Sequence, residues 1–102
     1  MFARITTFEG RPARVAEFRR AIEEHVLPAL RRLPGFQGVL LLADRESGKV
    51  LGVSFWETEE SMHASEESAY WFRAYGAEAA NERITGVERY EIIFSDLEGV
   101  QS

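Results

Sequence analysis

The chain carries two histidines and no cysteine, so proton transfer near neutral pH has two candidate imidazoles, His25 and His63. His25 falls at the border of an apolar helical stripe, one turn from Ile22 and Ala29. There it can serve as a pocket base or as a surface group beside Pro28. His63 falls early in a second helical segment. No carboxylate spacing joins the two into a metal-binding signature, so no metal site is expected. Nucleophilic catalysis has no support either, because Gly-x-Ser-x-Gly, Ser-x-x-Lys and phosphate-loop patterns are absent from the sequence.

Aromatic and basic residues supply the rest of a candidate site. Trp56 can stack on a flat aromatic substrate or fill the core. Tyr70, Trp71, Phe72 and Tyr75 cluster on the second helical segment. Phe72 lies on its apolar stripe, and Tyr75 lies at the edge, where a hydroxyl can reach a cleft. Tyr70 and Trp71 are expected on outer faces, available to a partner. Arg4 and Arg89 are charges inside strands. They can pair with Glu91, Glu88 or Glu57 on a solvated face, or anchor an anionic group. The expected site therefore has His25 and His63 as catalytic groups and Trp56, Phe72, Tyr75 and Arg4 as substrate-binding ones.

The elements that must position these residues follow from periodicity. Phe2–Phe8 alternates, with Phe2, Arg4, Thr6 and Phe8 on one face and Ala3, Ile5 and Thr7 on the other, which predicts a strand. Residues 13–33 carry a helical stripe from Val15 through Phe18, Ile22 and Val26 to Leu30 and Leu33. Pro28 lies inside it and predicts a kink or a break. Phe36–Ala43 and Val50–Trp56 read as strands joined by a turn in which Gly48 can take positive φ. Gly38 and Gly52 leave room for another group to approach the sheet. Thr58 followed by Glu59 and Glu60 starts a helix, and Ser65–Glu66–Glu67 a second piece extending to about Glu82. Val87–Phe94 alternates as a fourth strand.

The order β-α-β-β-α-β predicts an α+β, ferredoxin-like fold, with a four-stranded antiparallel sheet and both helices on one face. A length of 102 residues allows one domain, expected over 1–95 with a tail at 96–102. Val39, Leu41, Val53, Ile93 and Phe94 place apolar side chains on both sheet faces. A monomer would leave such a surface wet, so a homodimer packed through the sheet face is expected. Acidic residues outnumber basic ones, 17 to 12, for a net charge of −5. That balance lacks the overall basic field of nonspecific nucleic-acid binders. The longest apolar run, Val39–Ala43, is far short of the roughly 20 residues that span a membrane. With no apolar segment at the N-terminus, a cytoplasmic location is expected, with no membrane partner.

These residues resemble a known family. Leu33–Pro34–Gly35–Phe36–Gln37–Gly38 is similar to the Pro-Gly-Phe-x-Gly of the antibiotic biosynthesis monooxygenase-like superfamily. Phe55–Trp56–Glu57–Thr58–Glu59–Glu60–Ser61–Met62 resembles its strand-to-helix junction, and Tyr90–Phe94 its last strand. The resemblance implies a dimeric α/β barrel in which two four-stranded sheets close on each other. It also implies an oxidoreductase: a cofactor-independent monooxygenase of an aromatic or quinol-like small molecule, needing no added cofactor. The same fold also serves as an isomerase, a cyclase or a binding dimer without catalysis. The haem-degrading branch uses an Asn, a Trp and a His at positions that fall here on Ala3, Ser65 and Tyr75, so haem degradation is not expected. The quinol-oxidising branch uses a third-strand Trp, which Trp56 resembles, with an Asn partner that has no counterpart near Gly52 and Ser54.

Overall fold

The computed structural model describes residues 1–68, 77 and 82–98. Strand β1 (Phe2–Glu9) leads through a 3-10 turn at Pro12–Arg14 into α1 (Val15–Ala21). A π turn at Ile22–Val26 connects α1 to α2 (Leu27–Leu30). Strands β2 (Phe36–Asp44) and β3 (Lys49–Trp56) form a hairpin, followed by α3 (Glu59–Ala64) and β4 (Arg83–Glu91). The sheet order is β2-β3-β1-β4, antiparallel at each pairing, which is the expected ferredoxin-like plan. The apolar stripe proposed at Ala69, Phe72, Gly76, Ala79 and Ala80, and the outward Tyr70 and Trp71, lie outside the described residues.

Pro28 acts one turn upstream of itself. Its ring conflicts with the carbonyl four residues back, and it has no N–H to donate. The helix answers by widening: Leu27 N–H reaches five residues back to the Ile22 carbonyl. The expected break is thus a π turn, and the stripe Val15, Phe18, Ile22, Val26 and Leu30 stays buried across it. Phe18 meets Phe8 of β1, with ring centroids 4.6 Å apart, and this contact fixes which sheet face the helices cover. By alternation Phe2, Arg4, Thr6 and Phe8 share that face.

Two glycines behave as their chemistry predicts. Gly48 has φ 84° in the β2–β3 turn. Gly52 leaves space for the Phe8 ring, which would lie 3.1 Å from an added Cβ. At Gly38 no described residue lies within 4 Å of an added Cβ, so the space beside it is open. Gly38 sits at the irregularity where the β2–β3 register shifts between Phe36 and Gly38.

Strand β4 differs from the expected Val87–Phe94 by starting and ending earlier. It pairs with β1 from Glu9↔Arg83 to Phe2↔Glu91. β1 begins at Phe2, so the ladder runs out there, and the last bond runs from Ile92 N–H to the Met1 carbonyl. Ile93 and Phe94 stand beyond the sheet, almost fully exposed. The two faces also divide differently from a simple apolar count. Val39 and Leu41 are in register with Ser54 and Gly52, on the helix side. Leu40, Leu42, Leu51, Val53, Phe55 and Ile5 form the opposite face and stand outside the buried cluster.

At one end of the sheet the Glu82 carboxylate lies against Gly10, where an added Cβ would overlap it. Both its oxygens are sealed from solvent and lack a hydrogen-bond partner among the described residues. Desolvation raises its pKa above the usual carboxylate value. A carboxyl whose folded pKa is raised costs the fold nothing below its unfolded pKa. The cost grows as pH rises through the folded value and is full above it. Glu82→Gln therefore raises Tm near pH 7 and leaves it unchanged near pH 3, as read by thermal circular dichroism. An unchanged Tm near pH 7 contradicts this.

Candidate functional site

Arg4 is the centre of a buried polar cluster among the described residues. It points from β1 to the helix side and is 1% exposed. Its Nη2 donates to the Met62 carbonyl at 2.6 Å, to Ser65 Oγ at 3.0 Å and to Glu66 Oε2 at 2.6 Å. The Ser65 hydroxyl in turn donates to the Met62 carbonyl at 2.8 Å. Met62 lies in α3 and Ser65 caps its C-terminus, so the cation sits where the last carbonyls of the helix need donors. α3 itself starts as expected at Thr58, whose side chain and that of Ser61 each accept from the other's backbone N–H.

Arg89 on β4 is the direct cross-strand partner of Arg4. Two like charges at such a position repel. Glu66 lies between them, paired with Arg4 through Oε2 and with Arg89 through Oε1. The expected partners Glu88, Glu91 and Glu57 do not fill this role for Arg4. Glu88 is in register with Ile5, on the opposite face, and Tyr90 donates to it instead. Burial, with the Arg89 charge beside it, pushes the Arg4 pKa down to about 10, so it remains a cation at neutral pH.

Trp56 closes the other side of Arg4. It is 0% exposed, its ring lies 5.2 Å from the Arg4 guanidinium carbon, and Phe36 meets it edge-on at 5.5 Å. Its indole N–H donates to Ser54 Oγ at 2.9 Å. The sequence left Trp56 open between pocket wall and core. In the described chain it is core, with a cation on its face.

A cleft of about 340 Å³ opens beside this cluster, lined by Phe2, Met62, His63 and Arg89, with Glu59, Tyr90 and Glu91 completing it. Met62 and Arg89 thus touch both the cleft and the partners of Arg4. His63 is exposed at its wall. His25 is exposed in the π turn, 4.0 Å from Glu24, and lines neither this cleft nor the larger groove. That groove, about 790 Å³, runs between the first helical segment and β2 and is walled by Val15, Phe18, Ile22, Leu27 and Leu41. Phe72 and Tyr75 lie outside the described residues.

The structure therefore joins Arg4 to Trp56 and places His63 nearby, without His25. Ser65 and Glu66 were missed as site residues. The sequence marked them only as the start of a second helical piece, whereas in the structure Ser65 caps the end of α3, where polar side chains meet free carbonyls. Of the haem-branch positions, Ala3 faces away from the helices, opposite Phe55 and Tyr90, and Ser65 is engaged with Arg4. No group of three or more His, Asp or Glu side chains among the described residues is arranged to hold a metal ion. No helix among them is long and apolar enough to cross a membrane.

Comparison with known proteins places this geometry in context. The chain is 37% identical over 92 residues to the uncharacterised protein Rv2557 of Mycobacterium tuberculosis, covering 90% of this chain and 41% of that one. It is 43% identical over 67 residues to the uncharacterised protein Rv2558 of the same organism, covering 66% of this chain and 28% of that one. It thus spans less than half the length of these curated relatives. Among solved structures it is similar to the monooxygenase from the gene ActVA-Orf6 of Streptomyces coelicolor, solved with Nanaomycin D. The TM-score is 0.69 at 18% identity, covering 96% of this chain and 92% of that one. SnoaB, a cofactor-independent oxygenase from Streptomyces nogalater, gives 0.65 at 17% identity, with 95% and 97% covered. The heme-degrader MhuD of Mycobacterium tuberculosis gives 0.67 at 22% identity, with 94% and 99% covered. At these identities the structures share the fold. Residues 1–77 match the model of the antibiotic biosynthesis monooxygenase family, and the chain belongs to that family.

Proposed function

We propose that this protein is a cofactor-independent monooxygenase of an aromatic or quinol-like small molecule, acting as a cytoplasmic homodimer. The observation that carries the reading is the Arg4–Trp56 pair, a cation on a buried aromatic face, beside a cleft that bears an imidazole. Family membership and the fold shared with a cofactor-independent oxygenase support it. A volume of about 340 Å³ lies within the range of small-molecule pockets.

In this reaction the substrate supplies the electrons. A proton leaves an activated C–H, the resulting carbanion reduces dioxygen, and a C–O bond forms as a peroxide. Loss of the second hydrogen with O–O cleavage leaves a carbonyl and releases water, so one oxygen atom enters each product. The protein supplies the Phe2 and Met62 side chains as apolar contacts in the cleft and a proton acceptor. His63 is that acceptor in preference to His25, because it alone of the two lines the cleft.

The dimer rests on the open sheet face. Leu42 and Tyr90 are half exposed there, around Leu40, Val53 and Ile5. This apolar face has no helix over it among the described residues, and a second copy placed sheet to sheet covers it.

An oxygen electrode tests the function. Anthrone and a series of hydroquinones are added to the metal-free protein. Oxygen uptake that depends on protein and falls about 100-fold or more in His63→Ala is expected. No uptake above the spontaneous rate with any of them leaves a binding dimer as the better reading.

A further inference from the structure

Strand β2 is an edge of the sheet, and its outer side has no strand beside it among the described residues. Natural edges are blunted by charges or proline, because their free N–H and C=O groups pair readily with another chain. β4, the other edge, carries Arg83, Glu88, Arg89 and Glu91. β2 has no charge and no proline over residues 38–43. The groove of about 790 Å³ follows this unprotected edge. It is lined by Val39 and Leu41 from one side of the strand and by Leu40 and Leu42 from the other, so it wraps the edge backbone. At the far edge β4 ends, and the chain leaves the sheet as an arm on which Ile93, Phe94 and Leu97 are 91%, 82% and 65% exposed. This arm does not reach the groove of its own chain. Glu91, Phe2, Trp56 and Phe36 share one row of the sheet, so the arm leaves where β2 begins, three strand spacings or about 14 Å away. Ile92 is held there by its bond to the Met1 carbonyl, which keeps Ile93 and Phe94 within about 7 Å of that point.

We infer that the arm of a second copy lies along β2 and fills the groove, and that the exchange is reciprocal. The inference rests on the proposed sheet-to-sheet dimer and adds a second contact to it. Leu40 and Leu42 belong both to the groove and to the open sheet face, so the arm and the packed faces form one continuous interface. Neighbouring side chains of an extended arm point opposite ways. One of Ile93 and Phe94 therefore enters the groove beside Phe18 and Ile22, and the other joins the open face. Backbone pairing along the edge supplies affinity, as in other strand additions. The charges fit as well. Asp96 and Glu98 are exposed on the arm, and the groove carries Arg19 and Arg45 against one acid, Glu23, which lies 4.0 Å from Arg19.

The chain has no cysteine, so introduced ones report the contact alone. Leu42→Cys and Phe94→Cys chains are co-expressed at full length and treated with a short bis-maleimide. A covalent pair joining one variant to the other is expected, distinguished by mass from pairs of like chains. The double variant should give covalent dimers and no internally bridged monomer. Phe94→Asp changes a side chain that is exposed in a single copy. It should raise the dimer dissociation constant about tenfold or more and leave the far-UV circular dichroism unchanged. An internally bridged monomer would place the arm on its own chain and overturn the inference. So would the absence of the mixed pair in a sample that light scattering shows to be dimeric, or a Phe94→Asp dimer of unchanged affinity. A small apolar molecule retained in place of the mixed pair, seen by native mass spectrometry, would assign the groove to that molecule. A native chain that is monomeric at every concentration overturns the sheet-face dimer itself, and the arm with it.

Discussion

Trp56→Ala is expected to lower the stability of the fold by about 3–5 kcal/mol, the range for truncating a large buried aromatic. The indole is fully buried between Phe36 and Arg4. Truncation removes three things together: the packed volume, the hydrogen bond to Ser54 Oγ and the aromatic face over which the Arg4 cation lies. The last loss leaves a buried guanidinium facing a cavity, which adds to the cost. In a domain of about 100 residues such a change lowers Tm by more than about 10 °C. Urea denaturation followed by circular dichroism measures it directly. A midpoint within experimental error of the parent would show that Trp56 is not core. The same reasoning governs how function is probed. Loss of turnover in Trp56→Ala would reflect unfolding, so Trp56→Phe, which keeps a ring beside Phe36 and Arg4, is the informative variant.

Val53→Asp is expected to convert the proposed dimer into a monomer or to make the chain insoluble. Val53 lies near the middle of the open sheet face, in register with Leu40 on one side and Ile5 on the other. A stable interface buries about 1,200–2,000 Å² in total, and a face-to-face packing of two sheets places this position at its centre. An unpaired carboxylate there costs several kcal/mol, enough to dissociate an interface of ordinary size. Light scattering after gel filtration reads the outcome. A dimer of unchanged affinity after this substitution would place the interface elsewhere. Leu41 is not the residue to change. It is in register with Gly52 and packs against the core on the helix side, so a charge there would test folding instead of assembly.

Much of the fold was legible because its signals are local. Alternation in Phe2–Phe8 places Phe8 and Arg4 on one face, and the structure keeps them there. Thr58, Gly48 and Pro28 each impose a backbone geometry that no distant contact needs to supply. The end of β4 was less legible. Apolar residues continue through Phe94, but a strand needs a partner, and β1 has none to offer beyond Phe2. The site was legible in its members more than in their arrangement. An arginine within a strand is usually solvated. That Arg4 is buried depends on Glu66 and Ser65, which lie about sixty residues away and arrive only when α3 packs over β1. No periodicity connects such positions. The two histidines looked equivalent as proton carriers, and the cleft separates them, since His63 lines it and His25 does not.

In the proposed reaction, substrate electrons and molecular oxygen suffice for turnover by this protein. Isotopically labelled dioxygen tests it most directly, with anthrone as substrate and a chelator present. One labelled atom is expected in the new carbonyl and the other in water, at a rate that depends on protein and is strongly reduced by His63→Ala. Carbonyl oxygen derived from unlabelled water, or incorporation at the same rate without protein, would contradict it.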